Sequence, residues 1–393
     1  MRITYMLLNA YAMGGTVRTV FNQANALAAR GHEVGVVSVM RHRRTTQFRL
    51  DPAVTLTPLV DKKLGVLRPG RSPLERIGWL RASPTRPGME VPQQEARKRV
   101  FTRVVEKAVI RALKGCTADV LVTTRPALNL LAARYAPDGV VRVGQVHQRI
   151  KPGHTGLLDA IAADYPRLDA VVTLTRGDRA EYARMLDHRV RVARIPSPVA
   201  TLHAEAADPA SKVVVAAGRL VRAKGFDLLI PAFAHVVAKD PEWRLRIFGG
   251  GPMQAKLAAL IEANGLEDNV VLMGRTGDLG GELAKASFCA LGSRSEGLPM
   301  VVLEAFTHGL PVVSCAYPGA EELVSDGRDG ILVPPEDVEE LGTAMAWLAT
   351  DVEARATMGE RALRKARDYG PDAVAAQWEQ LFTELRGAGV SRR

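Results

Sequence analysis

Short apolar runs alternate with stretches of helical periodicity along nearly the whole chain, and this constrains the fold more than any other feature. Arg2–Leu8 reads as a strand. After Gly14-Gly15, the apolar positions Val17, Val20, Phe21, Ala24, Leu27 and Ala28 fall on one helical face, and Gly31 stops that helix before the strand Val34–Val39. The runs Val120–Thr123, Val140–Val146, Ala170–Leu174 and Val190–Ile195 each follow a helix-like segment. Such alternation predicts parallel sheets covered by helices on both faces.

Pro196-Ser197-Pro198 interrupts the pattern and opens an Ala/Pro-rich stretch without strand periodicity. Alternation resumes with Lys212–Ala217, Leu245–Phe248, Val270–Met273, Phe288–Leu291, Pro311–Ser314 and Gly330–Val333. At 393 residues the chain is also too long for one core. The expected organisation is therefore two doubly wound, Rossmann-like α/β domains, 1–198 and 211–370, joined by a linker at 199–210. A closing helix and tail follow at 371–393, with Val374, Trp378, Leu381, Phe382 and Leu385 as the apolar face expected to pack back on the first domain.

Hydrophobic residues make up 47% and charged residues 24%, which excludes a disordered, collagen-like or coiled-coil chain. The longest uncharged stretch, 305–320, is interrupted by Pro311 and Pro318 and cannot span a bilayer. Met1–Leu8 runs into Gly14-Gly15 without a signal-peptide pattern, so the expected location is the cytoplasm. Cys116, Cys289 and Cys315 form no CxxC or zinc spacing and read as structural thiols of a reducing compartment.

The net charge of +11 is unevenly divided. Residues 1–198 hold 33 Lys+Arg against 15 Asp+Glu, whereas residues 199–393 hold 20 against 27. Within the first half, segment 62–114 alone carries 14 basic and 4 acidic residues. That half is suited to an anionic partner: a phospholipid surface, a phosphorylated acceptor or nucleic acid. In the helix-like segment 96–113, Ala96, Val100, Val104, Ala108 and Ala112 share one side, and Arg103, Lys107, Arg111 and Lys114 form a basic row on another. The row reads either as a solvated face or as a membrane-surface contact, with Ile77, Trp79 and Leu80 as wedges. Aromatic residues are only 5% and no base-reading motif is present, which argues against nucleic acid.

The strongest chemical signal lies in the second half. Gly218-Arg219-Leu220 directly follows a strand, and Lys224-Gly225 opens the next helix. In open α/β sheets ligands bind off the carboxyl ends of strands, and two cations beside a helix N-terminus suit a diphosphate. Taken alone, Arg219 and Lys224 also read as surface charges. The run from Ser293 to Glu304 follows the strand Phe288–Leu291 and enters a helix at Pro299. Glu296 and Glu304, with seven residues between them, either supply two carboxylates for sugar hydroxyls or read as a dipole-stabilising acid and a solvated helix residue, while Gly297 allows close backbone approach and the N–H groups of Leu298, Met300 and Val301, on either side of Pro299, suit phosphate. Gly249-Gly250-Gly251 lacks the dinucleotide spacing and reads as a tight turn. Gly14-Gly15 either holds a phosphate over the first helix, through Gly15, or is a plain turn. His147 follows the strand Val140–Val146 at the end where sites form, and a lone histidine there reads either as a site residue or as a packed or surface side chain.

Together these residues resemble the retaining family-4 glycosyltransferases of the GT-B fold. The resemblance rests on Gly218-Arg219-Leu220 with Lys224-Gly225, Glu296-x7-Glu304, and Gly330 with Val333-Pro334-Pro335. It is strongest over 212–340, and Gly14-Gly15 and His147 fit the family's amino-terminal domain. It implies two domains facing a cleft, with Arg219 and Lys224 neutralising a donor diphosphate. It further implies Glu296 on donor-sugar hydroxyls, Glu304 on the ribose, His147 approaching the donor sugar, and a further polar position at Glu322. The linker reads Ile195-Pro196-Ser197-Pro198, without the Asn often seen there.

No Asp-x-Asp occurs, which disfavours a metal-dependent arrangement, and no metal or other cofactor is expected. The expected reaction moves a hexose from a nucleotide diphosphate sugar, uridine being the family-weighted base. The expected acceptor is a hydroxyl that is lipid-linked, phosphorylated or part of a cell-wall polymer, with peripheral attachment to an anionic membrane. The alternative is a sugar-nucleotide epimerase or hydrolase on the same scaffold.

Overall fold

A computed structural model describes residues 1–61, 66–67, 88, 90–92, 101–147, 155–200 and 206–390. Most of 62–95, including Ile77, Trp79 and Leu80, lies outside these described residues, as do 96–100 and linker residues 201–205. The chain divides into two compact units, 1–198 with 374–393, and 199–373.

The first unit is built on an eight-stranded sheet. Its strands are β1 (Arg2–Leu7), β2 (Glu33–Arg41), β3 (Thr55–Asp61), β4 (Val66–Leu67), β5 (Val120–Thr123), β6 (Val141–Val146), β7 (Ala170–Thr173) and β8 (Arg191–Arg194). They run in the order β4-β3-β2-β1-β5-β6-β7-β8, parallel except for the β3–β4 pair. Helix α1 (Gly15–Ala29) lays Val17, Val20, Phe21, Ala24 and Leu27 on Ile3, Tyr5 and Leu7. The closing helix, Pro371–Val390, belongs to the same core, burying Val374, Trp378, Leu381 and Phe382 among those residues. Glu379 on that helix accepts both Arg30 Nε at 2.9 Å and Arg30 Nη2 at 2.8 Å, and pairs with His32 Nε2 at 2.9 Å.

Helix Arg103–Lys114 packs the described part of the face expected over 96–113, Val104, Ala108 and Ala112, on the core and widens it, while Ala96 and Val100 lie outside the described residues. Its buried stripe is Val104, Val105, Val109 and Leu113, while Ala108 and Ala112 sit at the margin. The larger β-branched and leucyl side chains take the core because each removes more apolar area from water than alanine does. The opposite row, Arg103, Lys107, Arg111 and Lys114, is exposed.

The second unit has six strands: β9 (Val213–Ala217), β10 (Arg244–Phe248), β11 (Val270–Gly274), β12 (Phe288–Leu291), β13 (Val312–Cys315) and β14 (Gly330–Val333). All pairs are parallel, in the order β11-β10-β9-β12-β13-β14. β9 therefore has its sequence successor on one side and β12 on the other. The strand order reverses between β9 and β12, and a doubly wound sheet opens a binding crevice at the carboxyl ends of such a pair. Helices Phe226–Lys239 and Val338–Thr350 cover one face over Val214, Ala216, Phe288 and Val313, with Trp243 tilted on Phe288 at 5.6 Å between ring centres.

Candidate functional site

The residues singled out in the second half converge on that strand-order reversal. Gly218, Arg219 and Lys224 follow β9, and Glu296 follows β12, so the loops from two adjacent parallel strands emerge side by side. Backbone packs directly on backbone here. Gly225 caps helix Phe226–Lys239 in a left-handed conformation (φ 59°), and a Cβ there would lie 1.7 Å from the Gly292 carbonyl oxygen. Gly249, after β10, has φ 148°, and a Cβ would lie 1.8 Å from the Gly218 carbonyl oxygen, so the triple glycine is a packing turn against the β9 loop.

Lys224 Nζ donates to Glu296 Oε2, and the pair is only partly exposed, 23% for the lysine side chain and 12% for the glutamate. The second carboxylate oxygen, Oε1, accepts Ser293 Oγ at 2.7 Å and the Tyr317 hydroxyl at 3.4 Å. Burial, and then the charge of Glu296, push the Tyr317 phenol well above its usual range, so it stays a neutral donor. Arg219 lies on the same loop and is exposed, with no hydrogen bond or ion pair among the described residues. The cluster thus combines one solvent-facing guanidinium, one ammonium and one oriented carboxylate, a set that can grip an anion and accept hydrogen bonds from hydroxyls.

Pro299 is the N-cap of helix Met300–Thr307 rather than its first residue, and no side chain caps the helix. Its leading amides have no acidic residue in the first turn to occupy them electrostatically. Leu298 and Pro299 are buried, while Gly297 and Met300 are half-buried. Glu304 sits one turn along, half-buried, and close enough to Cys289 to help burial push that thiol up to about 12. Glu322 is half-buried on helix Pro318–Leu323.

Gly15 and His147 belong to the other unit. Gly14 caps α1 in extended conformation, and both glycines are exposed. His147 follows β6, next but one to β1 in the sheet. Its Nε2 is buried without a hydrogen-bond partner among the described residues, and burial pushes the ring down to about 3, so it is neutral at ordinary pH.

The sequence reading gave no role to Arg294, Ser293 or Tyr317. Arg294 Nη1 donates to Asp227 Oδ1 at 2.8 Å and to the Arg222 carbonyl at 2.8 Å; Nη2 donates to Asp227 Oδ2 at 3.1 Å, and Nε to Glu336 Oε2 at 2.7 Å. Burial alone would raise the Asp227 carboxyl; the Arg294 fork overrides it and holds the carboxyl below its usual value. Among the described residues no group of His, Cys, Asp and Glu could hold a metal ion.

Two units, each an α/β sheet of mainly parallel strands covered by helices, give the chain the GT-B fold. Known proteins agree. Residues 202–365 match the family described as Glycosyl transferases group 1. The chain is 36% identical over 400 aligned residues to an exopolysaccharide phosphotransferase of Streptomyces coelicolor, covering 100% of this chain but only 41% of that protein. It is 33% identical over 175 residues to poly(glycerol-phosphate) alpha-glucosyltransferase of Bacillus subtilis, covering 44% of this chain and 26% of that one. A crystal structure of S. aureus TarM with UDP, alpha-GlcNAc-glycerol and fondaparinux superposes with a TM-score of 0.76 over 97% of this chain and 99% of that chain, at 16% identity, and shows the shared fold. Residues 202–365, most of the carboxyl-terminal unit, are thus similar to the glycosyl transferases group 1.

Proposed function

We propose that the chain is a retaining, family-4 glycosyltransferase that moves a hexose from a UDP-linked donor to a hydroxyl of a phosphorylated, lipid-linked or cell-wall polymer acceptor. The observation that carries this reading is the Lys224–Glu296 pair beside exposed Arg219 at the carboxyl ends of β9 and β12. In the proposed reaction Arg219, Lys224 and the leading amides of helix Met300–Thr307 meet the charge that develops on the departing diphosphate. Cationic side chains fill the role a divalent ion plays elsewhere. Glu296, held by Ser293 and Tyr317, accepts from donor-sugar hydroxyls, and Glu304 takes the ribose. The neutral His147 is a further donor-sugar contact, and Gly15 offers amides to the donor or acceptor.

No residue of the site is placed as a covalent nucleophile. The acceptor hydroxyl is proposed to attack on the face the diphosphate leaves, whose oxygen takes its proton. The names of the two sequence relatives, one acting on exopolysaccharide and one on poly(glycerol phosphate), support a polymeric or phosphorylated acceptor. UDP in the TarM complex supports uridine as the donor base. The exposed row Arg103, Lys107, Arg111 and Lys114 supports attachment to an anionic membrane surface on the cytoplasmic side. No helix among the described residues is long and apolar enough to cross a membrane.

The test is incubation of the protein with UDP-glucose and poly(glycerol phosphate), with donor alone as control. Glucosylated polymer with an α linkage is the expected product. A sugar epimerised or released equally fast without acceptor would instead identify an epimerase or hydrolase.

A further inference from the structure

We propose that Arg294 is a positioning residue that holds the diphosphate-binding lysine and the sugar-binding glutamate in register; this rests on the donor-binding role proposed above. Lys224 ends a single 3-10 turn, Arg222–Lys224, and Glu296 stands on an irregular loop 72 residues away in sequence, so nothing within either segment sets one side chain against the other. Arg294 precedes Glu296 by two residues, and its main-chain N–H donates to the Ala223 carbonyl at 2.9 Å, directly before Lys224. Its guanidinium then reaches past the same turn. One nitrogen holds the Arg222 carbonyl and Asp227 Oδ1, the second holds Asp227 Oδ2, and the third holds Glu336 on the loop after β14.

Arg222 and Asp227 bracket Lys224, so the arginine clasps the turn that bears the lysine from both sides while its own backbone bears the glutamate. A planar fork is needed for this. A lysine keeps the charge, but its three donors diverge from one nitrogen and cannot span the four acceptors that three guanidinium nitrogens reach. The guanidinium is also neutralised by two carboxylates, Asp227 and Glu336, and only 16% of its side chain is exposed. It is thus committed to the loops rather than offered to ligand. Without it, two carboxylates near an anion-binding turn would lose their counter-charge, and the Lys224 turn would lose its tie to the Glu296 loop.

The test is calorimetric titration of UDP into wild type, Arg294→Ala, Lys224→Ala and the double variant, with a melting curve for each. Arg294→Ala is expected to weaken UDP binding by roughly tenfold or more and to add little in the Lys224→Ala background, because contacts acting through one another are not additive. Arg294→Lys is expected to fail to restore wild-type affinity, and it serves as the single variant if the alanine form does not fold. Wild-type affinity in either Arg294 variant would overturn the proposal, as would losses that simply multiply in the double variant. Failure of the wild type to bind UDP, ADP, GDP or dTDP would overturn the donor-binding reading, and this proposal with it.

Discussion

Lys224 and Glu296 are joined in an ion pair across two adjacent loops, each satisfying the group the other would offer to a ligand. The ammonium has three donors and the carboxylate two oxygens, so a diphosphate and a sugar hydroxyl can be added without dissolving the pair. That arrangement keeps the carboxylate aimed before any ligand arrives, which lowers the reorganisation needed on binding.

Arg219 is the cation of this site that faces solvent. Arg219→Ala should lower kcat/KM by about 30-fold, roughly 2 kcal/mol of transition-state stabilisation, with an unchanged melting temperature. Steady-state kinetics with the identified donor and acceptor check this, and unchanged activity in a folded variant removes the diphosphate role.

Glu296→Gln leaves Lys224 without its counter-charge but keeps the side-chain shape. Affinity for UDP should hold or rise slightly, since the lysine then meets the diphosphate alone, while turnover falls by about 10²-fold as a charged acceptor of sugar hydroxyls is lost. A parallel fall in both quantities would instead mean that the loop itself has collapsed.

Gly225→Ala should cost about 2–4 kcal/mol of stability, because the new methyl meets the Gly292 carbonyl and the backbone is left-handed there. Urea unfolding of the variant checks the value. A loss below about 1 kcal/mol would mean the β9 and β12 loops part easily.

The limits of β12, β14 and β5 were legible as Phe288–Leu291, Gly330–Val333 and Val120–Thr123 because each is a short apolar run bounded by turn residues, whereas the order that sets β9 beside β12 appears only in the folded sheet. β3 was not legible. Thr55–Asp61 contains Pro58 and is half exposed at its start, so it has neither a continuous apolar run nor strict alternation. The helix at Arg103–Lys114 was visible by period, and its core face includes Val104, Ala108 and Ala112, but the larger Val105, Val109 and Leu113 that complete the buried stripe were not singled out. Arg219, Lys224 and Glu296 were legible as residue types placed after strands. Their pairing, and the Arg294 clasp, join positions 67 to 72 residues apart, a relation that only the folded sheet creates.

Two titrations follow from burial and pairing. Glu379 is held down at about 2, first by Arg30 and then by His32, so its folded pKa lies below its usual 4.5. The unfolded chain therefore takes up this proton first as pH falls, and stability present above about 4.5 is lost between there and about 2. Glu379→Gln should cost about 1 kcal/mol at pH 7 and flatten that part of the acid-unfolding curve, as followed by Trp378 fluorescence.

His147, pushed down to about 3 from 6.5, should show no ring titration by NMR between pH 8 and pH 5. The unfolded chain protonates this ring below 6.5 while the native chain does not, so stability falls with pH through that window. A resolved midpoint near 6.5 in the native protein would place the ring in water.

Titration of UDP into the Arg219→Ala/Lys224→Ala double variant, beside the wild type, tests the central claim most directly. Binding by the wild type and a loss of about 100-fold or more in a double variant that melts normally are predicted. Equal affinity in the two proteins would mean that the nucleotide diphosphate is held somewhere other than at the carboxyl ends of β9 and β12.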